Sequence, residues 1–165
     1  MLPPARRPGS YRIELVCLGN ICRSPTAHVV LEQQLADAGL DRVEVSSSGT
    51  GDWHVGDPMD RRAAAALTTA GYDATRHRAR QHDPAEDVDL VLAMDDANLA
   101  DLGGRTDRIR KFRDLDPAGH SAEGGSDVPD PYYGGDDGFE EVLTMVERTA
   151  SAIVDALRRE RPWVP

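Results

Sequence analysis

Cys17 and Arg23 stand six positions apart in the segment CLGNICRS, residues 17–24, which also contains Cys22, the only other cysteine of the 165-residue chain. A sulfur and a guanidinium at that spacing, on either side of a turn, can act on one anion. The backbone N–H groups of such a turn have no sheet or helix partners, and a helix beginning at its end adds its positive pole, so the loop cradles negative charge. Gly19 and Asn20 tolerate the backbone conformations that a tight cradle demands. Arg23 can fork two hydrogen bonds onto phosphate-like oxygens. The same field favours Cys17 as a thiolate, with Ser24 placed to donate a further hydrogen bond to the sulfur. Nucleophile and oxyanion holder then come from one turn.

Two plainer readings compete. Cysteine in apolar surroundings is usually an inert core residue; the Gly-Asn-Arg-Ser setting of Cys17 argues against that here. Cys17, Cys22 and His28 could supply three metal ligands, yet no CxxC pair and no fourth ligand lies near them, so no metal is expected. For Cys22 the plain role is a small residue filling the inner side of the loop.

To present this loop the chain must place it between a strand and a helix, and the flanking residues do so. YRIELVCL, from Tyr11, reads as a buried strand. Ser24 as N-cap with Pro25 at the first helical position would open a helix through TAHVVLEQQLADAG, closed by Gly39. VEVSSSGT is a second strand, and a helix starting at Asp57-Pro58 runs through the alanines to Gly71. VDLVLAM, more apolar than alternating, fits an interior parallel strand; MDDANLADLGG gives a short helix. RIRKF is charged enough to be an edge strand. DLDPAGHSAEGGSDVPD, residues 114–130, is a long Gly/Asp/Pro-rich loop, and the last helix spans about 137–161. Strands alternating with helices give the expected fold: a single α/β domain over residues 10–165, with a four-stranded parallel sheet, helices on both faces, a flavodoxin-like doubly wound order and the phosphate loop after strand 1. Residues 1–9, with three prolines and no apolar period, are expected to be a disordered leader.

The net charge of −10 and pI near 4.8 repel nucleic acid and anionic lipid, so an anionic ligand must meet a local positive site. No apolar run approaches a membrane span and the first residues lack the apolar core of a signal peptide. The expectation is a cytoplasmic protein, export without a signal peptide being left open, with no nucleic-acid or membrane partner and a monomeric or weakly dimeric state.

CLGNICRSP resembles the phosphate-binding loop of the low-molecular-weight protein tyrosine phosphatases, C-x-G-N-x-C-R-S-P at the start of a small α/β domain. DPYYG at 130–134, VSSSGTGDWHVG and AMDDANL match further blocks of that family, and the resemblance runs from Arg12 to Leu157. It implies a cofactor-free protein tyrosine phosphatase of the bacterial type that hydrolyses phosphotyrosine in proteins. Cys17 is then the nucleophile that forms phosphocysteine, Arg23 the phosphate clamp and Asp130 the general acid and base. Leu18, Gly19, Asn20, Ile21, Cys22 and Ser24 complete the phosphate loop. Asn20 and Ser47 resemble the pair that holds the loop rigid, and His77 a histidine that supports Asn20 together with an acid on the first helix, a position held here by His28. Trp53 and Tyr132 resemble the aromatic walls around the substrate ring. The resemblance also implies that Cys22 pairs with Cys17 on oxidation, and that a cognate tyrosine kinase modifies Tyr132 or Tyr133. Relatives that act on phosphoarginine carry threonine at the position of Ile21. Arsenate reductases of this fold need cysteines that this chain lacks. The alternatives are a phosphoarginine phosphatase and a catalytically idle phosphotyrosine-binding module.

Overall fold

Tyr11–Cys17 form β1, and every residue of it except Arg12 is buried. In the computed structural model, which describes residues 1–119 and 125–165, β1 is followed by α1 (Arg23–Asp37), β2 (Val43–Gly49), α2 (Arg61–Thr69), β3 (Leu90–Ala93), α3 (Asp96–Asp101), β4 (Ile109–Lys111) and α4 (Asp137–Glu160). The middle of the loop expected at 114–130 lies outside the described residues. The four strands are parallel in the order β2-β1-β3-β4. The interior place of β3 accounts for its unbroken LVLA run, and the charged β4 lies at an edge.

Alternate strand residues divide between two cores. Ile13 and Leu15 of β1 with Leu90 and Leu92 of β3 pack in the larger cluster, which includes Val30 and Leu31 of α1, Leu67 of α2 and Val146, Ile153 and Leu157 of α4. On the other face Val16 and Val91 meet Val88, with Leu102 and Ile109 against them. Glu14 belongs to that second face and is fully buried. The helices end as their glycines imply, Gly39 and Gly71 taking φ of +69° and +93°. Among the described residues no helix is long and apolar enough to cross a membrane.

Three local expectations are corrected. Residues 1–9 are docked rather than disordered: Leu2 is buried, its N–H donates to Glu160 at 2.8 Å, Ala5 and Gly9 donate to Pro162 and Trp163 carbonyls at 2.9 Å, and the Tyr11 hydroxyl donates to Pro3 O at 2.9 Å. The partners of Leu2, Ala5 and Gly9 lie at the far end of the chain, so no local periodicity records them, and proline removes some of the donors that would otherwise need partners. Second, α1 begins at Arg23 with Cys22 as its N-cap, so Ser24 sits inside the first turn, where its hydroxyl points at Cys17 instead of capping. Third, α2 begins at Arg61, not after Asp57; Asp60 is its cap and accepts from Arg62 N at 2.8 Å.

Candidate active site

β1 ends at Cys17 and α1 starts at Arg23, so the five residues between them form the turn at the carboxyl edge of the sheet, beside the crossing from β1 outward to β2 on one side and β3 on the other. Asn20 bends this turn, with φ of +57°, a left-handed conformation that asparagine tolerates better than most residues. That bend brings the Asn20 N–H to 3.2 Å from Cys17 Sγ. Ser24 Oγ lies 3.0 Å from the same sulfur.

The Asn20 amide is held in one orientation. Its Oδ1 accepts from the backbone N–H of Arg80 at 3.0 Å, which leaves Nδ2 to donate to Ser24 Oγ at 2.8 Å and Ser47 Oγ at 3.1 Å. With its oxygen already accepting, the Ser24 hydroxyl has one hydrogen to give, with Cys17 Sγ at 3.0 Å and Ser48 O at 3.3 Å both in reach; a thiolate on Cys17 is the stronger acceptor of the two. His77 Nε2 donates to the Asn20 carbonyl at 2.7 Å, and His28 Nδ1 lies 3.2 Å from Ser47 Oγ. Burial pushes both imidazoles below their ordinary value; for His28 it outweighs the opposing pull of Glu32. The sequence expectation grouped Asn20, Ser47 and His77, and these three do meet. His28 keeps to Ser47 and Glu32.

Glycine closes the packing around the turn. A Cβ on Gly49 would lie 2.7 Å from Leu18 O and 3.1 Å from Asn20 N, so the last residue of β2 must be bare for the loop to rest on it. Pairing continues past the strand: Thr50 N donates to Cys17 O and Gly51 N to Leu18 O, both at 2.9 Å.

Arg23 is buried, and burial disfavours its charge, but the Asp95 carboxylate at 2.6 Å outweighs this and holds the guanidinium protonated. Nη1 donates to Asp95 and to Val128 O, while Nη2 faces Asp130 Oδ2 at 3.7 Å. Asp130 comes from the loop before α4. That loop is tied to the end of β3 through Val128 N and Met94 O at 2.7 Å, and its Asp130 carboxylate accepts from Tyr132 N at 3.1 Å. Cys17, Arg23, Asp130, Trp53 and Tyr132 line one cavity of about 310 Å³, with Leu18, Gly19, Ile21, Cys22, His54 and Tyr133. Trp53 stands 69% exposed at its rim. Cys22 is buried, and burial, reinforced by Asp60 and Cys17, pushes its thiol up to about 12. Both cysteines are free thiols. Among the described residues no group of three His, Cys, Asp or Glu side chains converges as a metal site.

Asp95, Arg62 and Arg80 escaped the sequence reading. Asp95 does two jobs: Oδ1 caps α3 by accepting from Asn98 N at 2.7 Å, and Oδ2 braces Arg23. Its place directly after β3, at the edge where ligands bind, was the available signal. Arg62 donates to Tyr132 O at 2.9 Å and lies over the Tyr132 and Phe139 rings, joining α2 to the Asp130 loop. No motif marks it or Arg80, because their partners come from distant segments.

Residues 12–162 match the family model described as low molecular weight phosphotyrosine protein phosphatase. The low molecular weight protein-tyrosine-phosphatase of Streptomyces coelicolor is 45% identical over 160 residues, 92% of this chain and 96% of that protein. Low molecular weight protein-tyrosine phosphatase A of Mycobacterium tuberculosis is 43% identical over 148 residues, 87% of this chain and 89% of its own length. The crystal structure of a protein tyrosine phosphatase from Entamoeba histolytica, with Hepes in its active site, superposes with a TM-score of 0.83 at 29% identity, covering 92% of this chain and 99% of that one. With the match spanning nearly the whole α/β domain, the chain belongs to the low molecular weight phosphotyrosine protein phosphatase family.

Proposed function

We propose that this chain hydrolyses phosphotyrosine in proteins through a phosphocysteine on Cys17. The observation that carries this is the convergence of Cys17, Arg23 and Asp130 on one cavity, with Trp53 and Tyr132 at its sides. The phosphoryl oxygens take the place an anion finds between the loop N–H groups and the Arg23 fork, and the substrate ring lies between the aromatic side chains. The Cys17 thiolate attacks phosphorus, the bond from phosphorus to the phenolic oxygen breaks, and Asp130 gives its proton to the leaving oxygen. Water then attacks the phosphocysteine while Asp130 takes a proton from it; the sulfur leaves as thiolate and inorganic phosphate departs. Burial of Arg23 and the fixed Asn20 and Ser24 donors mean that little reorganisation is needed as charge moves. Ile21 at the cavity wall supports an aryl ester rather than phosphoarginine.

Cys17→Ser tests the reading: it should bind phosphate yet release none from p-nitrophenyl phosphate, and release at the wild-type rate would overturn it. A wild-type protein that binds phosphotyrosine under reducing conditions without turnover would instead be a binding module. Asp130→Asn should slow phenyl phosphate more than an ester with a better leaving group, equal losses removing Asp130 from the acid role.

Two further parts of this reading concern regulation. Cys22, protonated at rest beside the nucleophile, protects it under peroxide: oxidation of the Cys17 thiolate gives a sulfenic acid, which Cys22 attacks to form a disulfide with loss of water. Dithiothreitol should then restore wild-type activity better than that of Cys22→Ser, and equal recovery would discard the idea. Tyr133, 91% exposed, and Tyr132 stand at the cavity mouth in reach of a cognate tyrosine kinase. Both residues remaining unmodified after incubation with such a kinase would count against that role.

A further inference from the structure

Behind the catalytic turn, on the face of the sheet away from the main core, a carboxylate is fully buried at the centre of β1. Glu14 lies three residues before Cys17, where an apolar side chain would cost nothing to bury. Its Oε1 accepts from Ser48 Oγ and from Arg80 Nη2, both at 2.8 Å, and Oε2 faces His82 Nδ1 at 3.2 Å. Arg80 spends the rest of its fork on Glu86, at 2.8 Å and 3.3 Å, and its Nε on Ser47 O at 3.0 Å. Its backbone is clamped as well: Arg80 N donates to Asn20 Oδ1 at 3.0 Å and Arg80 O accepts from Gly49 N at 2.9 Å. Of the charged and titratable groups in contact with Glu14, Arg80 and His82 are direct neighbours, and Glu86 stands behind Arg80. These contacts outweigh burial and hold the Glu14 carboxyl below its ordinary value, so it is an anion.

We propose that Glu14 and Arg80 are positioning residues for the phosphatase reaction, a clasp anchored on the buried Glu14 that places the Arg80 N–H so that the Asn20 amide points Nδ2 at Ser24 Oγ and holds the Ser24 hydroxyl against the Cys17 sulfur. The clasp acts on the sulfur through two intermediaries, Asn20 and Ser24, and touches neither Arg23 nor the cavity. Loosening it therefore weakens the stabilisation of the thiolate while leaving the phosphate clamp intact.

The proposal rests on Cys17 as nucleophile, and turnover by the wild-type protein checks that separately. Glu14→Gln keeps the shape and removes the charge; Arg80→Met keeps the stem and the backbone N–H and removes the fork; Arg80→Lys restores a charge facing Glu14. For each, the pH profile of Cys17 alkylation by iodoacetamide, kcat, the inhibition constant of inorganic phosphate and Tm are measured, all assays below Tm. Expected are alkylation and kcat about fivefold lower in Glu14→Gln and Arg80→Met, an alkylation profile displaced to higher pH, partial recovery in Arg80→Lys, and unchanged phosphate inhibition. Folded variants with the wild-type alkylation profile would overturn it, as would a loss of phosphate affinity equal to the loss of kcat, which marks general loosening. An inactive wild type would sink the function itself, whereas wild-type behaviour in all three variants would sink only the clasp.

Discussion

Asp95 Oδ2 lies 2.6 Å from Arg23 Nη1, and this pair joins two strand ends, the turn after β1 and the cap of α3 after β3. The aspartate thus keeps a buried guanidinium charged and aimed while it satisfies the first turn of a helix. Asp95→Ala should raise the inhibition constant of phosphate about tenfold, the scale of a hydrogen bond to a charged group. It should also cost about 1 kcal/mol of stability through the lost cap. Denaturation and phosphate inhibition measured on the same protein check both, and unchanged inhibition would mean that Arg23 holds its place without the brace.

Asn20 serves by conformation and by side chain, and two substitutions separate these. Asn20→Gly keeps the left-handed backbone at +57° and removes the amide, whereas Asn20→Ala removes both. Alanine should therefore be less stable than glycine by about 1 kcal/mol. Both should lose kcat by a similar factor, since both leave Ser24 and Ser47 without the Nδ2 donor. Equal stability of the two variants would show that the turn relaxes around alanine.

Two glycines near the loop should respond differently to one added methyl group. On Gly49 it would meet backbone, Leu18 O at 2.7 Å, and the phosphate loop itself would have to move. A loss of about 1–3 kcal/mol and a severe fall in kcat are expected. On Gly51 it would overlap the Trp53 ring, which is exposed and can swing away. Gly51→Ala should change stability by less than about 0.5 kcal/mol and raise KM for aryl phosphates. Thermal melts with steady-state kinetics distinguish these outcomes.

Arg62 links α2 to the loop that holds Asp130, through Tyr132 O at 2.9 Å. Arg62→Ala should lower kcat about fivefold for phenyl phosphate and less for an activated ester, because only the former depends on a well-placed acid. An equal loss on both substrates would confine Arg62 to a general structural role.

His28 and His77 make stability depend on pH. Burial lowers both from the ordinary value of 6.5, so as the pH falls through 6.5 the unfolded chain takes up protons that the folded protein refuses. The stability present above 6.5 is lost as the pH falls through the lower folded values and then levels off. Melts from pH 7.5 to 5 should show a decline that is shallower in His28→Gln and His77→Gln, and parallel curves would refute it.

The local grammar of the chain was enough for the order of elements and for the place of the phosphate loop after β1. CLGNICRS carries its own thiol, its own cation and its own left-handed bend, and the strand before it and the helix after it are legible because apolar period and glycine stops act within a few residues. The edge place of β4 and the interior place of β3 were readable for the same reason: each strand's composition reflects what covers it. Tertiary structure alone decided which distant groups close around that turn. Ser24 reads both as a cap and as a partner of the sulfur and keeps only the second place; Asp95, which escaped the sequence reading, caps α3 and braces Arg23; residues 1–9 read as loose and instead dock beside the end of α4. Glu14 lies in a strand that reads simply as buried, and the Arg80 that meets its charge comes 66 positions later. A hydrogen-bonding side chain has several partners open to it, and the one it takes is chosen by where the packed sheet brings the rest of the chain, which no local pattern encodes.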